Sequence, residues 1–378
     1  MKCSLADILL NGNNNNFTLI RLLMAIAVLY NHSFVLFETA GKRDVVNFVF
    51  DYFDAGSIGV AVFFLISGLL ITQSFFQSNT NYSFILKRVF RIFPALIVCV
   101  FITVFIIGAL SNTQEPTSYF TSRNTYRYFY NIFLNNEVFI YNIPGSFETN
   151  KLPNVINGSL WTLPFELICY IFLFLFLSIF NYIKLTIPIH VKIIFFLLLY
   201  YFTCYLINGK YIIDRVWGLA TGFTNNTNLG NNPMRLFLFF FCGIVLYFLR
   251  NKIRLGIWML VITCISFVLS KFIAIKEVVF AMETVSIICF ILFVAGEKRL
   301  FRFNSKTDPS YGIYLYAWPI QQLTAYFFTV TAYKSILITL PLCLLMGILS
   351  YRIIEKPCLV FARKINYASN QLKSNRFF

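Results

Sequence analysis

Charge is what this chain most lacks. Only 12% of its 378 residues are Asp, Glu, Lys or Arg, while 58% are hydrophobic, and the mean hydropathy is +0.72. Soluble globular chains carry roughly 25% charged residues. So little charge cannot coat a water-exposed surface of this size, which excludes an ordinary soluble enzyme and makes lipid the main solvent. Acids are the scarcer sign: 15 against 31 basic residues, a net charge of +16. Histidine is scarcer still, with His32 and His190 the whole supply. The nine cysteines (Cys3, Cys99, Cys169, Cys204, Cys242, Cys264, Cys289, Cys343 and Cys358) contain no CxxC pair. No metal site is therefore expected, neither zinc nor haem. The cysteines lie mostly inside apolar runs and fit small buried hydrophobes. A secretory signal is not expected either. Residues 1–16 are polar and Asn-rich, and the first apolar run, of about 20 residues, is too long for a signal core and has no cleavage site after it.

Long apolar runs are what is abundant, with 46 Phe among them. A spanning helix needs roughly 20 apolar residues. Ten segments qualify: 17–37, 56–77, 89–110, 162–184, 189–207, 234–250, 254–273, 277–295, 310–330 and 335–353. The fold class expected is all-α, a polytopic transmembrane bundle of about ten helices. It forms one domain over 1–378: a cytoplasmic segment 1–16, a bundle over 17–353 and a basic cytoplasmic tail over 354–378. Two aromatic stretches, 128–141 and 211–220, are expected to be interfacial or re-entrant.

Charge orients this map. With the N-terminus inside and spans alternating, 20 basic residues and 4 acids fall on the inner side, and 11 of each fall outside. The entire +16 then faces the cytoplasm, as positive-inside topology and an anionic leaflet require. Both termini are inner, and one large loop, 111–160, is outer. The basic balance needs no nucleic-acid partner to explain it; the expected partner surface is the bilayer.

Ionisable groups at membrane depth default to functional hypotheses. Arg21 and His32 stand eleven residues apart on one face of the first helix, separated by roughly 16 Å. On this topology His32 lies in the outer half. Glu166 enters from outside and is expected at a similar depth, where a carboxylate could fix the imidazole tautomer and raise its basicity. The plainer alternatives are a packed histidine and a helix-start carboxylate beside Pro164. Arg88 and Arg91 share a helical face at the inner end of the third span. Paired guanidiniums suit phosphate oxygens; ordinary positive-inside anchoring is the alternative. Phosphate binders inside and a histidine outside fit transfer from a cytoplasmic phosphorylated donor to an outer acceptor.

Several segments resemble the acyltransferase 3 family of membrane O-acyltransferases: RLLMAIAVLYNH from Arg21 to His32, GVAVFFLISG from Gly59 to Gly68, and RVFRIFP from Arg88 to Pro94. SLWTLPFE ending at Glu166, SYGIYL from Ser310 to Leu315 and the closing EKP from Glu355 also fit. The resemblance implies a ten-helix bundle, expected in a bacterial inner (plasma) membrane. It implies transfer of an acyl group, most often acetyl, from cytoplasmic acyl-CoA to a hydroxyl of a cell-envelope or secreted glycan. Acyl-CoA is then a co-substrate, and no cofactor is permanently bound. The resemblance gives His32 a catalytic role, gives Arg88 and Arg91 donor-side roles, with Arg21 beside them, and makes Glu166 important without a settled role. Trp161 and Tyr311 are offered as substrate contacts; an interfacial aromatic belt is the alternative for Trp161. One departure stands out: many members carry a histidine where this chain has Ala317. His32 could act as general base or through an acyl-histidine. The rival from another class is a secondary transporter or glycan exporter, which would favour paired halves with broken helices; no such symmetry is visible.

Overall fold

A computed structural model describes residues 3–10, 15–38, 44–135, 138–182, 233–303 and 307–374. The protein is an all-α membrane helix bundle. The principal helices are α1 (Phe17–Phe37), α2 (Ala55–Phe76), α3 (Asn81–Ile102), α4 (Leu163–Tyr182), α5 (Pro233–Leu249), α6 (Trp258–Ser270), α7 (Lys276–Gly296), α8 (Ser310–Phe327), α9 (Ala332–Leu349) and α10 (Lys356–Ser374). Six helical stretches among the described residues are long and apolar enough to cross a membrane. Nine of the ten expected spans coincide with helices α1 to α9. The expected span 189–207 and the stretch 211–220 lie outside the described residues. So does His190. Within the stretch 128–141, Arg127–Phe133 forms a short 3-10 turn.

Local chemistry sets the helix starts. Asp54 and Ser57 form a reciprocal capping box at α2: the Asp54 carboxylate accepts from the Ser57 amide, and the Ser57 hydroxyl accepts from the Asp54 amide. Thr80 caps α3 by accepting from the Ser83 amide at 3.1 Å. That cap starts α3 eight residues before the apolar run does, so Arg88 and Arg91 lie two turns inside the helix rather than at its end. Apolar side chains cover the outer surface, with Leu337, Ile353 and Phe105 exposed where a soluble protein would carry charge.

Two close approaches fix the centre. Gly68 of α2 packs on the Phe240 backbone of α5, and Gly243 of α5 packs on Leu65 and Leu69 of α2. A methyl at either glycine would overlap main-chain atoms, so the contact needs small residues, as tight helix pairs in lipid do. Helices α1 and α2 run antiparallel: Gly56 faces Asn31, and Gly59 faces the Met24 carbonyl.

The two ends of the bundle are distinct. At one end, Cys3–Ser4 pairs with Arg254–Leu255, and the Asn16 side chain donates to the carbonyls of Val294 and Glu297. These segments and the Arg21–Asp308–Arg91–Glu355 cluster are all ones that the charge count places inside. At the other end, the Glu283 carboxylate is fully buried and accepts from the amides of Asp51 and Tyr52, with Lys271 at 3.3 Å. Asp44 ties Asn31 to the start of α2 there.

Candidate active site

Five of the seven residues singled out from sequence line one cavity of about 130 Å3: Arg21, Arg88, Arg91, Glu166 and Tyr311. It lies between α1, α2, α3, α4 and α8. Ser67, Tyr170, Thr162 and Tyr314 add polar atoms to an otherwise apolar wall that includes Val60, Phe63 and Leu70. His32 and Trp161 do not line it.

The guanidiniums differ in their partners. Arg91 donates from one terminal nitrogen to Glu355 at 3.0 Å and from the other to Asp308 at 3.3 Å, and its guanidinium lies over the Tyr311 ring at 5.6 Å. Arg21 pairs with the same Asp308 oxygen at 2.9 Å. Although Glu166 lies on the same cavity, among the described residues Arg88 makes no ion pair. It donates to the Ser74 hydroxyl at 3.2 Å and stands 5.9 Å over the Phe84 ring, and its Nε is buried without a partner. Asp308 precedes α8. Burial pushes its carboxyl up, but Arg21 and Arg91, with the Ser310 hydroxyl and amide, outweigh that and hold it below the usual carboxylate range.

Glu355 meets Arg91 at the end of an i→i+5 turn, Ser350–Glu355, into which the chain widens after α9. Such turns recur at functional sites. The carboxylate is 1% exposed and also accepts from the Ser350 hydroxyl. From sequence, Asp308 and Glu355 were only inner-side acids, and Glu355 belonged to the tail. Here they sit behind the cavity wall and hold two of its arginines, Arg21 and Arg91. The spacing of Asp308 to Ser310 and the closing EKP were the available signals.

Glu166 corrects an expectation. Its Oε1 accepts from the Ser67 hydroxyl at 3.4 Å and from the Tyr170 hydroxyl. His32 is level with Gly56, since its neighbour Asn31 faces that glycine, and Ser67 is eleven residues further along α2. That places Glu166 about 16 Å from the His32 level at ~1.5 Å per helical residue. The two do not share a depth. The reason is that the end of the outer loop re-enters the bundle. Asn157 is fully buried and donates to the Leu315 carbonyl at 2.9 Å, and the 3-10 turn Gly158–Thr162 starts α4 well inside.

His32 sits instead against Trp318 of α8, ring centroids 4.7 Å apart and edge to face. The Trp318 indole donates to the Val155 carbonyl at 3.1 Å, and Gly158 leaves room for it: a methyl there would lie 2.8 Å from the ring. The residues flanking His32 are pinned. Asn31 donates to Asp44 at 2.7 Å, and Gln321 donates to the Ser33 hydroxyl and to the Leu29 carbonyl. The imidazole Nδ1 is buried with no partner. Buried polar atoms are nearly always satisfied, so an orphan ring nitrogen on a rigid helix marks a group with capacity to spare. Trp161 is half-buried on α4's leading turn, edge-on to Phe165 at 5.8 Å. Tyr311 donates to the Ile92 carbonyl at 3.0 Å, beside Arg91. Ala317 is 1% exposed, packed with Ala25, Leu29, Ile313 and Cys343.

A family model described as an acyltransferase domain, that of acyltransferase 3, matches residues 14–355. The match runs from just before Arg21 through Glu355. The chain belongs to the acyltransferase 3 family. It is similar to an O-acetyl transferase of Shigella phage Sf6, 28% identical over 352 residues, which covers 91% of this chain and 95% of the phage protein. It is also similar to nodulation protein 10 of Rhizobium leguminosarum bv. viciae, 30% identical over 177 residues, 45% of this chain and 46% of that protein. No solved structure matches it. This member of the acyltransferase 3 family is thus an integral membrane acyltransferase with a polar cavity at one level and a histidine at another.

Proposed function

We propose that this acyltransferase moves an acetyl group from cytoplasmic acyl-CoA to a hydroxyl of a cell-envelope or secreted glycan. The observation that carries the donor half is Arg88, a guanidinium that makes no ion pair among the described residues, on a cavity at the positively charged end. Such a group suits a phosphate oxygen. The acceptor half rests on His32, rigidly held with an unpartnered ring nitrogen. An extended pantetheine arm would bridge the levels of Ser67 and Gly56. His32 then removes the proton from a sugar hydroxyl as that oxygen attacks the thioester carbonyl. The carbon–sulfur bond breaks, the proton passes to the departing thiolate, and an O-acetyl ester and free CoA are the products. The family match and the name of the phage relative favour O-acetyl transfer.

The test is release of free CoA from acetyl-CoA in membranes, run with and without acceptor glycan, alongside mass spectrometry of surface glycans. Acceptor-dependent release with an acetyl mass shift supports the reading. No release with a broad acceptor panel overturns it and favours transport. His32→Ala should abolish transfer while CoA binding persists; wild-type turnover in that variant removes histidine from the chemistry.

A further inference from the structure

The RxxR pair looks symmetrical in sequence, and the structure divides it. Arg91 is saturated. Its two terminal nitrogens are taken by Glu355 and Asp308, which join α3 to the turn after α9 and to the start of α8. Asp308 also takes Arg21. Neither of these arginines offers its charge without competition from a carboxylate already in place. Arg88 is different. Of the five N–H groups a guanidinium carries, its one recorded bond among the described residues uses a terminal nitrogen, and that partner is the neutral Ser74 hydroxyl. Its Nε–H is buried and unpartnered, as is that of Arg21, but Arg21 is already paired with a carboxylate. Lys87, the adjacent cation, is engaged with the Ser78 hydroxyl at 3.1 Å. A buried N–H without an acceptor carries a desolvation cost that an arriving oxyanion removes. The Nε edge of a guanidinium, with the neighbouring terminal nitrogen, is the edge that meets an oxyanion in a bidentate pair.

Resting on the donor reading above, we propose that Arg88 alone takes a phosphate of the donor, while Arg91 is a structural residue that ties α3 to Asp308 and Glu355. Phosphate specificity then resides in one guanidinium, and the carboxylates prevent Arg91 and Arg21 from competing for the ligand.

The test measures binding of CoA itself to the purified full-length protein in detergent micelles, independent of turnover. Arg88→Ala should weaken CoA binding at least tenfold and flatten its salt dependence, and Arg88→Lys should restore part of the loss, because a point charge replaces the fork. Arg91→Met alone strands Glu355, so it is paired with Glu355→Gln, which leaves Asp308 to Arg21. That double variant should bind CoA within about threefold of wild type. A tenfold loss in the double variant, equal to that of Arg88→Ala, overturns the division while leaving the donor reading intact. A wild-type protein that does not bind CoA at millimolar concentration overturns the donor reading and the division together.

Discussion

The clamp on Arg91 makes a stability prediction separate from any ligand. Arg91→Met removes the cation between Glu355 and Asp308. Asp308 keeps Arg21 at 2.9 Å. Glu355, whose side chain is 1% exposed, keeps only the Ser350 hydroxyl at 3.1 Å. Breaking a buried pair by removing one partner costs roughly 3–5 kcal/mol. The Arg91 side chain is 25% exposed, and a stranded carboxylate can take up a proton, so the lower end, about 3 kcal/mol, is the expected loss. That is a change of more than ~100-fold in the folded ratio at ~1.4 kcal/mol per tenfold. Adding Glu355→Gln replaces the stranded charge by a neutral amide of the same size. The double variant should return to within about 1 kcal/mol of wild type, as neutral replacements of buried pairs do. Reversible unfolding in mixed micelles with rising SDS fraction, followed by tryptophan fluorescence, gives both numbers. A loss under about 1 kcal/mol for Arg91→Met would put the pair in the exposed class. Failure of Glu355→Gln to rescue would show that packing, not charge, held Arg91.

Three further outcomes are expected. Glu166→Gln should change the donor KM and leave the midpoint of the kcat–pH profile where it is, because Glu166 lies about three turns from His32; a displaced midpoint would mean that the two groups are coupled after all. Gly68→Val should abolish folded yield in membranes, since its side chain would enter the Phe240 backbone, whereas the same change at the open Gly256 should be tolerated; equal yields would contradict the α2–α5 packing. Ala317→His should destabilise by about 1–3 kcal/mol through overpacking against Leu29 and Cys343, visible in the same unfolding assay. An unchanged midpoint would show a void there.

The spans were legible because a run of apolar residues is itself the physical requirement for crossing lipid. What the runs could not carry was polar helix. α3 begins in Asn81, Tyr82 and Ser83 because Thr80 caps it, and no hydropathy window registers a cap. This is why Arg88 and Arg91 seemed terminal and are not. Glu166 was misplaced for a second reason. Alternation assigns every connection to one side or the other, but residues 155–160 are connection and core at once. Asn157 is inside because its amide finds the Leu315 carbonyl, and Val155 because its carbonyl finds the Trp318 indole. Pairings at such separations leave no periodic trace in the sequence. Glu355 was hidden by geometry of another kind: an i→i+5 turn rotates it toward Arg91, where regular α spacing would not. The residue types of the site were visible as rare charges in an apolar chain. Their grouping was not.

The corrected grouping changes what the histidine must do. If Glu166 shared its depth, His32 would be one half of a carboxylate–imidazole pair, with its tautomer set by that partner. Among the described residues no carboxylate pairs with it. What surrounds it is the Trp318 edge, itself fixed by Val155 and admitted by Gly158. A ring contact of this kind orients an imidazole without donating or accepting a strong hydrogen bond, so the ring is aimed while Nδ1 is left for an incoming group. A base of this kind does not gain strength from a buried partner. On the proposed reading its contribution comes from alignment with a hydroxyl and a thioester delivered to it, and alignment is worth far more than a modest rise in basicity. On the same reading the charges of the cavity serve delivery, and the apolar face of α2 between Ser67 and Gly56 is the path it would take.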